Sequence, residues 1–224
     1  MKKLTYILTF IFLFQMANAQ IHEIGVFGGG SNYIGDVGNT TYIAPSEPAI
    51  GILYKWNKNP RYSWRFSAIR AKIKGNDLKS DVNARKERAL HFENTITEFS
   101  AGFEFNWFDF NLHEHGFIST PYIYTGLSYF TFDNLYVANN AYHATKGNKG
   151  SLALPIIGGM KMKIADNFIL GIEAGARYAF TDNIDGSFPN DTLKFGNTNS
   201  KDWYVFTGMT LTYTFGKKPC YCKE

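Results

Sequence analysis

Between Phe99 and Trp107 the chain reads Phe-Ser-Ala-Gly-Phe-Glu-Phe-Asn-Trp, apolar at every odd position and small or polar at every even one. Only an extended strand sends successive side chains to opposite faces. This stretch therefore has two faces that must meet two different environments. The same period predicts strands over Ile21–Tyr33, Ala49–Trp56, Arg61–Ile73, Thr95–Phe108, Ser119–Thr131, Ser151–Lys163, Phe168–Thr181 and Trp203–Phe215. Pro155 interrupts the sixth, where a bulge or a local break in pairing is expected.

The connections have a rhythm of their own. Asn57–Pro60 and Ala165–Asn167 are tight turns, with Asp109–Ile118 somewhat longer. Ile34–Pro48, Lys74–Phe92, Phe132–Gly150 and Asp182–Asp202 are long polar stretches, expected as loops. Short turns at one end and long loops at the other belong to an up-and-down barrel of the outer-membrane type.

A soluble sandwich or lipocalin-like barrel would alternate too, but with its apolar face inward and its outer face charged. Here the polar face is mostly Gly, Ser and Thr, whereas the apolar face carries Phe, Tyr, Trp, Leu and Ile. Small residues suit a narrow lumen, and large ones suit lipid. Aromatics also gather near strand ends, at Tyr54, Trp56, Tyr62 and Trp64 and again at Tyr213 and Phe215, where an interfacial girdle belongs. Composition fits: the chain is 17% aromatic, yet its mean hydropathy is −0.23. Alternation lets a chain of ordinary polarity display one apolar surface. The expectation is an all-β, eight-stranded antiparallel transmembrane β-barrel, a small barrel of the OmpA-like or porin-like kind, over residues 20–215, with outer-membrane lipid around it.

The first residues supply a compartment. Lys2 and Lys3 precede an apolar run from Leu4 to Met16, and Ala17-Asn18-Ala19 fits a small-x-small cleavage pattern, so residues 1–19 read as a secretory signal peptide. The apolar run is too short for a membrane-spanning helix, which needs roughly 20 residues. No cysteine follows the cleavage pattern, so a lipoprotein anchor is not indicated. Without Lys2 and Lys3, 21 of the 23 basic residues remain against 19 acidic ones, a net charge of +2. That near-balance offers no basic stripe for nucleic acid.

Alternation points Lys55, Arg65, Glu104, Lys161, Glu173 and Arg177 inward. Eight strands enclose a lumen that side chains fill, and buried charges there must pair. A structural ion-pair network is expected rather than catalysis. Other chemistry finds little support. His113-Glu114-His115 lacks a third ligand at useful spacing and reads as a solvated turn. Gly28-Gly29-Gly30 lies in a strand with no helix after it, which fits close packing of the wall rather than a phosphate cradle. No Ser-His-Asp grouping stands out. The reading is a non-enzyme with no metal and no cofactor.

Gly208–Phe215 resembles the C-terminal sorting strand of outer-membrane proteins, but nine residues follow it, Gly216–Glu224, expected on the periplasmic side. They hold Lys217, Lys218 and the chain's two cysteines, Cys220 and Cys222. A disulfide between the two would close a very small ring, and unpaired thiols in an exported chain suggest intermolecular pairing, the alternative being a disordered tail whose thiols are incidental or bind metal.

Three segments carry a resemblance: Ser31–Asp36 (SNYIGD), Ala44–Ala49 (APSEPA) and the Cys-x-Cys tail. With them the mature chain resembles the PorG family of Bacteroidetes, small outer-membrane barrels of the type IX secretion system. The resemblance implies an accessory role beside the periplasmic ring of the PorK lipoprotein and PorN, called GldK and GldN in gliding relatives. On that reading Lys217, Lys218, Cys220 and Cys222 are candidates for docking on a ring subunit. The alternative is a generic porin-like or adhesin barrel working through its long loops, for example Lys74–Phe92 with Lys79, Arg85, Lys86 and Arg88.

Overall fold

The computed structural model describes residues 21–39, 41–112, 116–138, 141–186 and 201–216, with backbone alone at 21, 136–138 and 141–148. Eight antiparallel strands close on themselves in chain order: β1 (Ile21–Ile34), β2 (Glu47–Asn57), β3 (Tyr62–Asn76), β4 (His91–Asn106), β5 (Ser119–Ala138), β6 (Ala141–Ala165), β7 (Phe168–Ala179) and β8 (Trp203–Phe215). The seam is the β1–β8 ladder, which runs from His22 opposite Phe215 to Ile34 opposite Trp203. Closure leaves no open sheet edge, so every central strand finds a hydrogen-bonding neighbour on both sides. No described helix is long and apolar enough to cross a membrane.

Strand parity decides the two surfaces. Outside, Ile24, Ile52, Trp64, Phe99, Leu127 and Met209 stand exposed in a continuous apolar belt. Inside, Lys55, Arg65, Glu104 and Arg177 are buried almost completely. A protein folded for water would do the reverse, and this partition is the one a lipid-facing barrel adopts.

Two expectations change. The stretch 132–150 is not a loop: β5 continues to Ala138 and β6 starts at Ala141, so the two strands run on as a hairpin past the belt, with one register shift between Asp133 and Leu135. Within Lys74–Phe92 the strands extend to Asn76 and from His91, and between them lie a 3-10 turn at Asp77–Lys79 and the helix α1 (Asn83–Arg88). Pro155 breaks the β5 ladder without a bulge. Pairing with β5 lapses between Ile156 and Ala153 and resumes in the same register, while Pro155 stays opposite Arg177 on β7.

The lumen has two layers, and only one was expected. Its short-turn half holds the charges. Its long-loop half is apolar: Phe27, Ile69, Ile96, Phe130, Tyr204 and Phe206 are buried together inside the wall. The prediction that glycines and hydroxyls fill the interior holds locally, as at Thr210, Thr212 and Ser128, and fails for that upper half. Gly102 and Gly126 face each other across β4 and β5, so close that a Cβ on either would run into the other strand's backbone.

Candidate functional site

Two buried polar centres stand out, one in the lumen and one at the long-loop mouth. In the lumen, β2, β3, β4 and β6 bring Lys55, Arg65, Glu104 and Lys161 together by parity alone. Glu104 accepts from Lys55 Nζ at 2.8 Å and from Lys161 Nζ at 2.7 Å, with Arg65 Nη1 3.6 Å from its second oxygen. Arg65 grips Glu173 of β7 with both terminal nitrogens, at 2.7 and 2.8 Å. The Tyr122 hydroxyl donates to the same carboxylate at 2.5 Å. The forked guanidinium matches a carboxylate in two parallel hydrogen bonds, the strongest pairing open to it.

Sequence reasoning missed two members. Glu98 takes Arg177 Nε at 3.4 Å and the Tyr204 hydroxyl at 2.6 Å. Glu23 accepts from Asn57 Nδ2 at 2.8 Å and Thr212 Oγ1 at 2.9 Å. Both lie on the inward parity of their strands, so the signal was present. Four buried cations (Lys55, Arg65, Lys161, Arg177) thus face four buried carboxylates (Glu23, Glu98, Glu104, Glu173), and a fifth, Lys163, is buried nearer the short-turn rim, where its ammonium donates to Leu112 O at 3.2 Å. Arg177 also lies over the Phe206 ring, 4.3 Å from its centroid, where the charged and apolar layers meet.

The mouth buries acids differently. The Tyr33 hydroxyl lies 2.9 Å from Asp185 Oδ2 and in closer contact still with Asp202 Oδ1. Asp202 Oδ2 accepts the Ile184 backbone N–H at 3.1 Å. A phenol has a single hydrogen. It can serve one of its two carboxyl neighbours fully, and a proton on the other, donated to the tyrosine oxygen, would satisfy both contacts. Burial, and then the Asp185 charge, raise the Asp202 carboxyl well above the usual carboxylate range. Asp182 is pushed up to about 6 by burial, with Asp185 and Asp36 adding and Lys201 opposing. Asn94 ties this loop to the β5–β6 hairpin, donating to Ile184 O and Asp133 O at 2.9 Å each.

On the other side of the mouth, fully buried Asp77 accepts from Gly38 N at 2.9 Å, Leu90 N at 3.2 Å and Arg88 Nε at 2.8 Å. Arg85 donates to Gly38 O at 2.9 Å. Two of the four loop cations considered above as surface binders are therefore engaged within the protein, while Lys79 and Lys86 are exposed. The two internal segments behind the family resemblance meet here: Ala44 N donates to Asn32 Oδ1 at 3.4 Å, and Ser46 N donates to Ser31 O at 2.9 Å.

His113, Glu114 and His115 lie outside the described residues, as do Lys217, Lys218, Cys220, Cys222 and the signal segment. Among the described residues no group of three His, Cys, Asp or Glu side chains is arranged to hold a metal ion.

The family model described as "Domain of unknown function (DUF6089)" matches residues 1–224, and the chain belongs to that family. No curated protein matches it. Among solved structures it is similar to Ail, the attachment invasion locus protein of Yersinia pestis, crystallised with the heparin analogue sucrose octasulfate. Identity is 10%, the match covers 88% of this chain and 99% of that one, and the TM-score is 0.48. It is also similar to OprG from Pseudomonas aeruginosa (10% identity, 89% and 97% covered, TM-score 0.47) and to Neisserial surface protein A (10%, 88% and 97%, TM-score 0.46).

Proposed function

Starting from a closed barrel of the DUF6089 family, we propose that this protein is an outer-membrane barrel that anchors rather than transports. The observation that carries the reading is the inverted partition: an apolar belt outside, and inside a lumen plugged by a layer of paired charges and an aromatic layer. A lumen so filled has no room for a solute path through the described residues, which leaves the work to the two ends. The finer proposal follows the resemblance to PorG: a non-enzymatic component of type IX secretion that anchors or positions a PorK/PorN-type (GldK/GldN) ring beneath the outer membrane. β8 ends at Phe215 on the short-turn rim, the side this reading assigns to the periplasm, and Lys217, Lys218, Cys220 and Cys222 beyond it are the residues proposed to dock on a ring subunit.

Deleting 217–224 tests this. Loss of secretion and of ring co-purification, with normal barrel insertion, supports docking by the tail. Unchanged secretion with full ring recovery overturns it and favours an adhesin-like barrel acting through its loops. The membrane assignment has a separate test, since a mature chain that stays monodisperse without detergent would end it.

A further inference from the structure

Among the described residues of the outer wall, Arg70 is a cation with no partner. Along β3 the outward residues run Tyr62, Trp64, Phe66, Ala68, then Arg70, Lys72 and Lys74. Lys72 pairs with Glu93 at 3.0 Å, and Lys74 with Glu47 at 2.8 Å and Glu93 at 3.3 Å. Arg70 is exposed, and its cross-strand neighbours are Ile50 and Thr97, neither of them charged. Among the described residues no acid meets its guanidinium. A lipid-facing arginine is costly at the bilayer centre and tolerated near the headgroups, and Arg70 is the first residue of β3 past the apolar belt.

Directly beneath it the belt is hollow. Ala68 and Ala101 are small where their neighbours along the strands, Phe66, Phe99 and Phe103, are large. Over them lies a surface groove of about 880 Å³, walled by Ile52, Tyr54, Phe66, Phe99 and Leu127. It shares Val26, Ile52 and Ala68 with a smaller hollow of about 480 Å³ that reaches Arg70 and Thr97. An apolar channel in the lipid-facing wall thus ends at an unpaired guanidinium.

We propose that this groove seats one acyl chain of a phosphorylated outer-leaflet lipid, with Arg70 holding its phosphate. A single amphiphile satisfies both halves of the site. The chain fills the hollow that Ala68 and Ala101 leave, and the planar fork binds a phosphate through two parallel hydrogen bonds. The proposal rests on the outer-membrane reading and on the long loops facing outward.

The test uses the purified barrel in detergent micelles, with native mass spectrometry counting lipids retained after addition of lipid A, dephosphorylated lipid A or inorganic phosphate. Wild type is expected to keep one lipid A molecule and little of the dephosphorylated form. Arg70→Gln should cut retention roughly tenfold, as the loss of one charge-assisted hydrogen-bonded pair would. Arg70→Lys should restore part of it, and Ala101→Trp, which fills the groove, should cut it as well. Equal retention by all variants, equal retention of the dephosphorylated lipid, or displacement of lipid A by phosphate alone overturns the proposal. Heat-modifiable gel migration of each variant reports barrel formation separately, so the lipid site can fail while the barrel stands.

Discussion

The lumen and the Tyr33 side of the mouth both bury carboxylates, and they neutralise them by opposite means. Glu104 sits among Lys55, Lys161 and Arg65, so its charge is kept and balanced. Asp202 and Asp185 share the hydroxyl of Tyr33, and burial raises the Asp202 carboxyl, which favours a proton held within the group. The first solution tolerates any ordinary pH but depends on every member of the network. The second tolerates the loss of a member but depends on pH. A barrel that must keep its wall intact while its loops adapt has reason to use both.

The largest test breaks the lumen. Glu104→Ala leaves two ammonium groups and a guanidinium facing one another in a buried layer, and removing one partner of a buried ion pair costs about 3–5 kcal/mol. Denaturant unfolding of the detergent-solubilised barrel should show a loss of that size, in contrast to the mouth variant below. A loss under about 1 kcal/mol would mean that water reaches the layer and screens it.

The second test moves pH instead of residues. Asp182 has its folded pKa raised to about 6, by burial first and then by Asp185 and Asp36; Asp202 is raised by burial and Asp185. An acid raised in this way binds its proton more tightly folded than unfolded, so the stabilisation is complete below the unfolded pKa and declines as pH climbs through the folded one. The segment 181–186 should hold most firmly near pH 4 and loosen through about pH 6. Hydrogen-exchange protection of the Ile184 amide, corrected for intrinsic rate, should fall across that window while amides of β4 around Glu104 stay level. Protection that rises with pH at Ile184 would contradict the shared proton.

Asp202→Asn sharpens the contrast at smaller scale. The amide brings a permanent donor where the carboxyl needed a proton, and its oxygen can still take the Ile184 N–H. The change at neutral pH should stay within about 1 kcal/mol, the net worth of one neutral hydrogen bond, and the pH dependence at Ile184 should flatten. A cost near that of Glu104→Ala would mean Asp202 is held as an anion after all.

How much of this was legible follows from what alternation measures. A period of two appears only where the two faces meet different surroundings. Across the belt they do, and the bounds of β8 were readable to the residue, as were the inward places of Arg65 and Glu173. Beyond the belt both faces of the β5–β6 hairpin lie outside the lipid, the pattern fades, and 132–150 read as a loop. In the upper lumen inward Ile69 and Phe130 each have an apolar outward neighbour, Ala68 and Tyr129, so hydrophobicity alone could not tell inside from outside. Tyr204, Val205 and Phe206 are all buried in succession, which no alternating template predicts. The mouth cluster was invisible for another reason: Tyr33, Asp185 and Asp202 meet only because the barrel closes β1 against β8.

A third acid gives the smallest effect and completes the comparison. At the short-turn rim Arg61 pairs with Asp109, their side chains 47% and 66% exposed, and Arg61 Nη1 also donates to Trp107 O at 2.7 Å. Neither charge has left water, so the pair sits outside both strategies: little desolvation to repay, and salt to screen what attraction remains. Arg61→Ala should therefore cost less than about 1 kcal/mol, most of it gone in molar salt, with no change at Ile184. A salt-insensitive loss of the Glu104 size would place the rim turns inside the luminal network, and burial would no longer be what separates the three acids.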